Sequence, residues 1–121
     1  MVPRLGFPKS RRIRTTAQYK AVYDLQLRQS RGPVVIYTKT NGLRFSRLGL
    51  SVSRRVGTAA RRNRIRRLLR EAFRHMQHDL PTGYDWVVVV KPHEPLMLAD
   101  YQRLLSTLMV ALHTKVTQMR E

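Results

Sequence analysis

Between Arg54 and Arg74 the chain carries nine arginines and a single acid, Glu71. At 100° per residue, a helix over Ala59–Met76 gathers Ile65, Leu68, Leu69, Ala72 and Met76 on one side, and Asn63, Arg66, Arg67, Arg70 and Arg74 on the other. One face of this helix has to dock on a core, while the other has to meet water or an anion. Solvated helical faces normally mix signs in i,i+4 pairs, and this one barely does. Arg61, Arg62 and Arg64 fall in the first turns, where the helix dipole disfavours each cation by up to about 1 kcal/mol. The choice of arginine adds a planar fork that grips phosphate bidentately and stacks on bases. A nucleic-acid contact accounts for all three features, and a merely solvated face accounts for none.

The rest of the chain repeats the charge bias. With 24 Lys+Arg against 7 Asp+Glu, the formal net charge is +17. Self-repulsion on this scale opposes compaction until a polyanion relieves it. Hydrophobic residues still make up 42% of 121 residues, enough for one modest core, so a single folded domain over residues 1–121 is expected. No stretch of about 18 apolar residues is present to span a bilayer, which favours nucleic acid over a membrane as the polyanion. The absence of cysteine excludes disulfides, thiolate zinc sites and a cysteine nucleophile, and fits a reducing cytoplasm. Residues 1–10 contain no apolar secretory core.

Residues 1–15 are basic and contain Pro3, Gly6 and Pro8, which reads as an irregular arm. A helix is expected from Thr16 to Leu27, with Ala17, Val22 and Leu25 inward and Tyr19 and Tyr23 together on one side. Gly32-Pro33 marks a turn before a β-branched strand, residues 34–38. Asn41-Gly42 suggests a hairpin to the next strand, residues 47–53, whose alternation places Leu48, Leu50 and Val52 opposite Arg47, Gly49, Ser51 and Ser53. Thr58 is suited to cap the arginine helix. Residues 86–90 read as a strand buried on both faces, and a last helix over residues 99–118 aligns Leu104, Leu105, Leu108, Leu112 and Val116. The expected order is α-β-β-α-β-α, an α+β fold in which helices cover a small mixed sheet.

The run Gly49-Leu50-Ser51-Val52-Ser53-Arg54-Arg55-Val56-Gly57, followed by Arg62-Asn63-Arg64-Ile65-Arg66-Arg67-Leu68-Leu69-Arg70-Glu71-Ala72-Phe73-Arg74, closely resembles the signature of the bacterial ribonuclease P protein family. The resemblance covers most of the chain past Arg12. It implies the protein subunit of an endoribonuclease whose RNA subunit carries catalysis with magnesium ions, and which removes the 5′ leader of precursor tRNA in the cytoplasm. The implied partners are that catalytic RNA and precursor tRNA, with no protein partner. It further implies a left-handed crossover between two parallel strands through the arginine helix, against the general right-handed preference. Carried over by position, contacts to the catalytic RNA fall on Arg62, Asn63, Arg66, Arg67 and Arg70. The family's leader cleft falls on Tyr19, Tyr23 and Tyr37, with Ser51, Ser53, Arg54 and Arg55 beside it for leader phosphate. Aromatic faces stack on unpaired bases at roughly 1–3 kcal/mol per base, without sequence demands. From the residues alone, ordinary core packing with a wet hydroxyl is an equally open reading of Tyr19 and Tyr23. The family often has phenylalanine in the first helix, and lysine where Arg54, Arg55 and Arg66 stand here.

No catalytic or metal site is expected in the chain itself. The acids Asp24, Glu71, Asp79, Asp85, Glu94, Asp100 and Glu121 are scattered, with no DxD or HExxH pattern. His75 and His78 are spaced for a metal pair, but a polar helix terminus is the commoner reason for such spacing. The competing reading is a general RNA-binding or ribosome-associated protein without a catalytic RNA partner; its charge would look the same, but it would not need the strand and helix signatures together. If the arginine face is an anion site, sulfate or phosphate at fixed ionic strength will raise the melting temperature of the free protein. A melting temperature indifferent to those anions would contradict a specific site.

Overall fold

The computed structural model describes residues 11–120. The elements are α1 (Thr16–Asp24), β1 (Arg28–Arg31), β2 (Val34–Thr40), β3 (Arg47–Val52), a single 3-10 turn at Arg54–Val56, α2 (Ala59–Met76), β4 (Tyr84–Val90) and α3 (Leu98–Met119). The strands form one mixed sheet in the order β1-β2-β4-β3, antiparallel except for the parallel β3–β4 pair. The α+β class therefore stands, with one strand more than expected.

That strand, β1, has the sequence RQSR and is exposed at every position, so it carries no hydrophobic alternation to read. It exists because Gly32-Pro33 closes a two-residue hairpin between Arg31 and Val34, with Gly32 at φ +56 in the left-handed region open to glycine. The Asn41-Gly42 hairpin is corrected: β2 and β3 do not pair, because β4 lies between them. The Asn41 side chain instead organises a longer loop. Its Nδ2 donates to the Phe45 carbonyl (3.1 Å) and to Asp85 Oδ1 (3.1 Å), and its Oδ1 accepts from the Leu43 amide (2.8 Å).

The first helix stops at Asp24 rather than Leu27, because Gln26 turns to φ +53. Its start is fixed by a capping box between Thr15 and Gln18. Only Val22 of its expected inward residues is buried; Ala17 and Leu25 are exposed, since the short helix rests on the sheet along a narrow line. Thr58 caps α2 as expected, its hydroxyl accepting from the Arg61 amide at 3.2 Å.

Helices α2 and α3 pack against each other over one face of the sheet, while α1 sits on the opposite face over β2 and β4. The main core brings Ile65, Leu69, Ala72 and Phe73 of α2 against Leu105, Leu108, Met109 and Leu112 of α3 and Ile36, Trp86 and Val88 of the sheet. Phe73 lay outside the expected stripe, while Leu68 and Met76 are half-buried at its margin. Beneath α1 a second, smaller cluster joins Ile13, Val22 and Val87, with Tyr19, Tyr23, Tyr37 and Val89 against it. Strand β4 is thus apolar on both sides, as its unbroken valine run anticipates.

The irregular arm needs a partial correction. Residues 1–10 lie outside the described residues, but Ile13 is buried and its amide donates to the Leu48 carbonyl at 2.9 Å, so the chain there runs along the free edge of β3. On the α1 side of the sheet Asp85, only 3% exposed, receives Arg47 bidentately at 2.8 and 2.7 Å. This pair ties β3 to β4, and through Asn41 to the β2–β3 loop. Removing one partner of such a pair leaves the other desolvated and uncompensated. Asp85→Ala is expected to cost about 3 kcal/mol in urea denaturation, the lower end for buried pairs because Arg47 is able to swing into water. A loss under about 1 kcal/mol would show that the pair is dispensable.

Candidate nucleic-acid interface

The α1 side of the sheet is an open face, with α1 packed over β2 and β4 and open space beside Tyr23 and Tyr37. Because side chains alternate along strands, Tyr37 of β2, Val89 of β4 and Gly49 and Ser51 of β3 all point into it. Tyr19 and Tyr23, one helical turn apart on α1, form its wall. Their ring centroids are 6.5 Å apart, and Tyr23 meets Tyr37 edge-on at 4.9 Å. The three leader-cleft tyrosines expected from the resemblance therefore form one row, each half-buried. They are neither core residues nor free surface groups, so both open readings of Tyr19 and Tyr23 capture part of their state.

Tyr19 is anchored unusually firmly. Its hydroxyl accepts from the Leu50 amide (3.1 Å) and donates to the Leu50 carbonyl (3.3 Å). The ring lies so close to β3 that a Cβ on Gly49 would come within 2.9 Å of it. Glycine is therefore required at position 49 for close approach rather than for its backbone angle. Burial pushes the Tyr23 phenol above its ordinary pKa, opposed by the nearby Ser51 hydroxyl, so Tyr23 stays neutral and able to stack. The groove continues past Tyr37 toward β1 as an open space of about 510 Å³ lined by Arg28, Gln29, Ser30, Val35, Val89 and Lys91 among others. The Arg28 guanidinium donates to the Tyr37 hydroxyl at 3.3 Å. Arg28 was missed from sequence because it enters through the unanticipated β1, and Lys91 because it lies just past β4, where its amide donates to the Pro33 carbonyl at 2.8 Å.

The cationic face of α2 runs beside this cleft, along the edge of β3. Arg66 donates to Asn63 Oδ1 (3.0 Å) and to the Val52 carbonyl (3.3 Å), which fixes the motif against the end of the strand. Arg70 lies between Arg12, Arg66 and Tyr19. Burial, and then the like charges of Arg12 and Arg66, push its guanidinium below its ordinary pKa. An anion placed there would relieve that repulsion. Arg62 is half-buried with its Nε lacking a hydrogen-bond acceptor, while Arg67 and Asn63 are exposed. Ser53, Arg54 and Arg55 are exposed where β3 ends in the 3-10 turn, and Ser51, half-buried on β3, lies beside the Tyr23 hydroxyl. Arg74 departs from the open face, since Glu71 takes its guanidinium at 2.8 Å.

The sequence model for Ribonuclease P matches residues 7–115. The ribonuclease P protein component of Haemophilus influenzae is 42% identical over 89 residues, 73% of this chain and 74% of that one. That of Histophilus somni is 37% identical over 106 residues, 87% of each. Among solved structures, the Staphylococcus aureus RNase P protein superposes with TM-score 0.73 at 27% identity, covering 87% of this chain and 96% of its own. The Thermotoga maritima RNase P protein, in complex with 1-(4-fluorophenyl)-2-thiourea, gives 0.72 at 29%, covering 78% and 92%. The family match, residues 7–115, runs from before α1 into α3, and the chain belongs to the ribonuclease P protein family.

Proposed function

We propose that this chain serves as the protein subunit of a ribonuclease P holoenzyme, binding a catalytic RNA through α2 and the single-stranded 5′ leader of precursor tRNA in the tyrosine cleft. The observation that carries this reading is the meeting of the two surfaces at Tyr19. One side of that residue faces the Tyr23 ring, and the Arg70 guanidinium lies near enough on the other to interact with it electrostatically. A strand of RNA crossing this point has its bases over aromatic faces and its phosphates beside cations, the division of labour seen in single-strand binding generally.

Arg62, Asn63, Arg66, Arg67 and Arg70 would lie against the catalytic RNA, neutralising phosphates that otherwise repel the substrate. Tyr19, Tyr23 and Tyr37, with Ser51 and the cations of the adjoining turn, would hold the leader and so favour precursor over mature tRNA. The chain's own residues do not suit a magnesium site. Hard cations need several oxygen ligands, but Asp85 is taken by Arg47, Glu71 by Arg74, Asp100 by Arg103 and Asp24 by Lys20. No group of three metal-ligating side chains occurs among the described residues. In this reading the RNA subunit holds the magnesium ions and the protein positions the substrate. No helix among the described residues is long and apolar enough to cross a membrane, which accords with work in the cytoplasm.

The test is cleavage of a precursor tRNA by a bacterial ribonuclease P RNA at low magnesium, with and without this protein. Strong stimulation is expected. Replacing Arg66 and Arg67 together by alanine removes two charged contacts of about 1 kcal/mol each. RNA affinity is therefore expected to fall about 30-fold, and the slope of log affinity against log salt to drop by about 2. A well-folded protein that stimulates none of several partner RNAs would leave a general RNA-binding protein as the description. A second outcome concerns the cleft. Gly49→Ala pushes the Tyr19 ring off β3, and Tyr23→Leu keeps the apolar bulk but removes a ring. Each is expected to weaken precursor binding about tenfold, the value of one stacked base, while leaving mature tRNA binding unchanged. Equal losses for both tRNAs would mean that the cleft does not hold the leader.

A further inference from the structure

A second cavity, of about 190 Å³, lies at the far end of the β3 edge, where the β2–β3 loop meets the C-terminus of α2. Its walls include Arg11, Arg44, Phe45, Phe73, Gln77 and His78. Neither the tyrosine cleft nor the Arg62–Arg70 face reaches it. The volume is below the roughly 300–1,000 Å³ of ordinary small-molecule sites, so it admits a fragment about as large as one nucleobase.

Its chemistry is specific. The Arg11 guanidinium lies over the Phe45 ring at 4.4 Å from the centroid, so a cation plane and an aromatic face are already stacked at the wall. Both surfaces stack on nucleobases. Arg44 and His78 stand exposed beside them, and no carboxylate lines the cavity. In a chain of net charge +17, gathering arginines with no acid among them is costly unless an anion completes the site. The polar wall is also directional. Gln77 Nε2 donates to the Arg74 carbonyl at 3.3 Å, leaving Oε1 as an acceptor. The Ser46 hydroxyl is committed, accepting from the Tyr84 amide and donating to the Pro81 carbonyl, both at 3.2 Å. What enters therefore needs a flat aromatic body, an N–H donor for Gln77 and an anionic group for Arg44 and His78.

We infer that this cavity is a single-nucleotide pocket, which captures one unpaired, amino-bearing base of a partner RNA with its phosphate at Arg44 and His78. The pocket extends the reading of the chain as an RNA-binding subunit but does not depend on the leader cleft.

The test is a nuclear magnetic resonance titration of the full chain with adenosine 5′-monophosphate and, separately, with inorganic phosphate. The nucleotide is expected to shift the Phe45 ring, Gln77 side-chain amide and His78 ring signals together, while phosphate moves His78 and Arg44 but leaves Phe45 and Gln77 in place. Phe45→Leu and, separately, the exposed Arg44→Glu should each weaken nucleotide binding about tenfold. If Phe45→Leu fails to fold, Arg44→Glu alone carries the result. Phosphate reproducing every nucleotide shift would reduce the pocket to an anion site and overturn the inference. So would nucleotide shifts confined to Tyr19, Tyr23 and Tyr37, or binding unchanged by the folded variants. Because the titration uses no RNA subunit, its failure leaves the cleavage test untouched, and failure of the cleavage test leaves the pocket standing.

Discussion

The docking of α2 through Ile65, Leu69, Ala72 and Phe73 is the constraint on which the rest depends. These residues are at most 1% exposed and lie between α3 and the sheet. Burying each of the three larger ones contributes about 1.5–3 kcal/mol. That gain has to outweigh the repulsion among guanidiniums on the opposite face and the unfavourable cations at the helix start, which cost up to about 1 kcal/mol each. A helix so charged would not persist alone in water; the core fixes its position and its rotation. Rotation is what matters for function, because it sets Arg66 against the end of β3 and Arg70 against Tyr19, and turns Arg67 outward.

The sheet order gives that rotation its consequence. With β4 between β2 and β3, the strand that precedes α2 becomes an edge strand. One side of β3 is therefore open to the arginines of α2 and to residues 11–13 of the arm, and its face is open to the tyrosines of α1. Edge strands usually invite pairing with another chain, and charge is a common protection. Here residues 11–13 cover part of the edge and Arg66 reaches the Val52 carbonyl at its end, so cations that deter strand pairing stand where the proposed role needs phosphate contacts. The acids reach only the two ends of the arginine helix, Glu94 at Arg61 and Glu71 at Arg74. Asp85, Glu71, Asp100 and Asp24 each have a local cation, and Arg12 and Arg66 act on Arg70 as like charges.

Much of this was legible in the sequence where a period repeats. The 3.6-residue stripe of α2 and the valine run of β4 each carry one signal over many residues, and both elements form where expected, though Phe73 joins the buried stripe while Leu68 and Met76 sit at its margin and β4 begins two residues early; Thr58 caps α2 as expected. The α2 motif residues were placed correctly on or near the open face by the same periodicity. What escaped was non-local. Strand β1 has no apolar residue, and exists because Gly32-Pro33 folds it back on β2. Asn41-Gly42 carries a hairpin signal, but the pairing was decided by β4, whose apolar faces needed neighbours on both sides. Arg28 entered the cleft through β1, Lys91 through the residue just past β4, and Arg74 left the cationic face through Glu71, which only the folded rotamers reveal.

The tyrosine row also shows why stacking and packing were inseparable from sequence. A ring that holds a mobile base has to be fixed beforehand, or ordering it would consume much of the gain from stacking. Tyr19 meets that need by clasping the Leu50 backbone and resting on Gly49, and Tyr23 by its edge contact with Tyr37 above buried Val22 and Val87. Each ring is thus part core and part surface. The buried half supplies rigidity and the exposed half presents an aromatic face, and in the proposed role a substitution that frees the ring would weaken binding even where it adds exposed aromatic area. The same logic explains the glycine of the strand signature: position 49 lies under the ring rather than at a turn, and its missing side chain is the space in which Tyr19 is held.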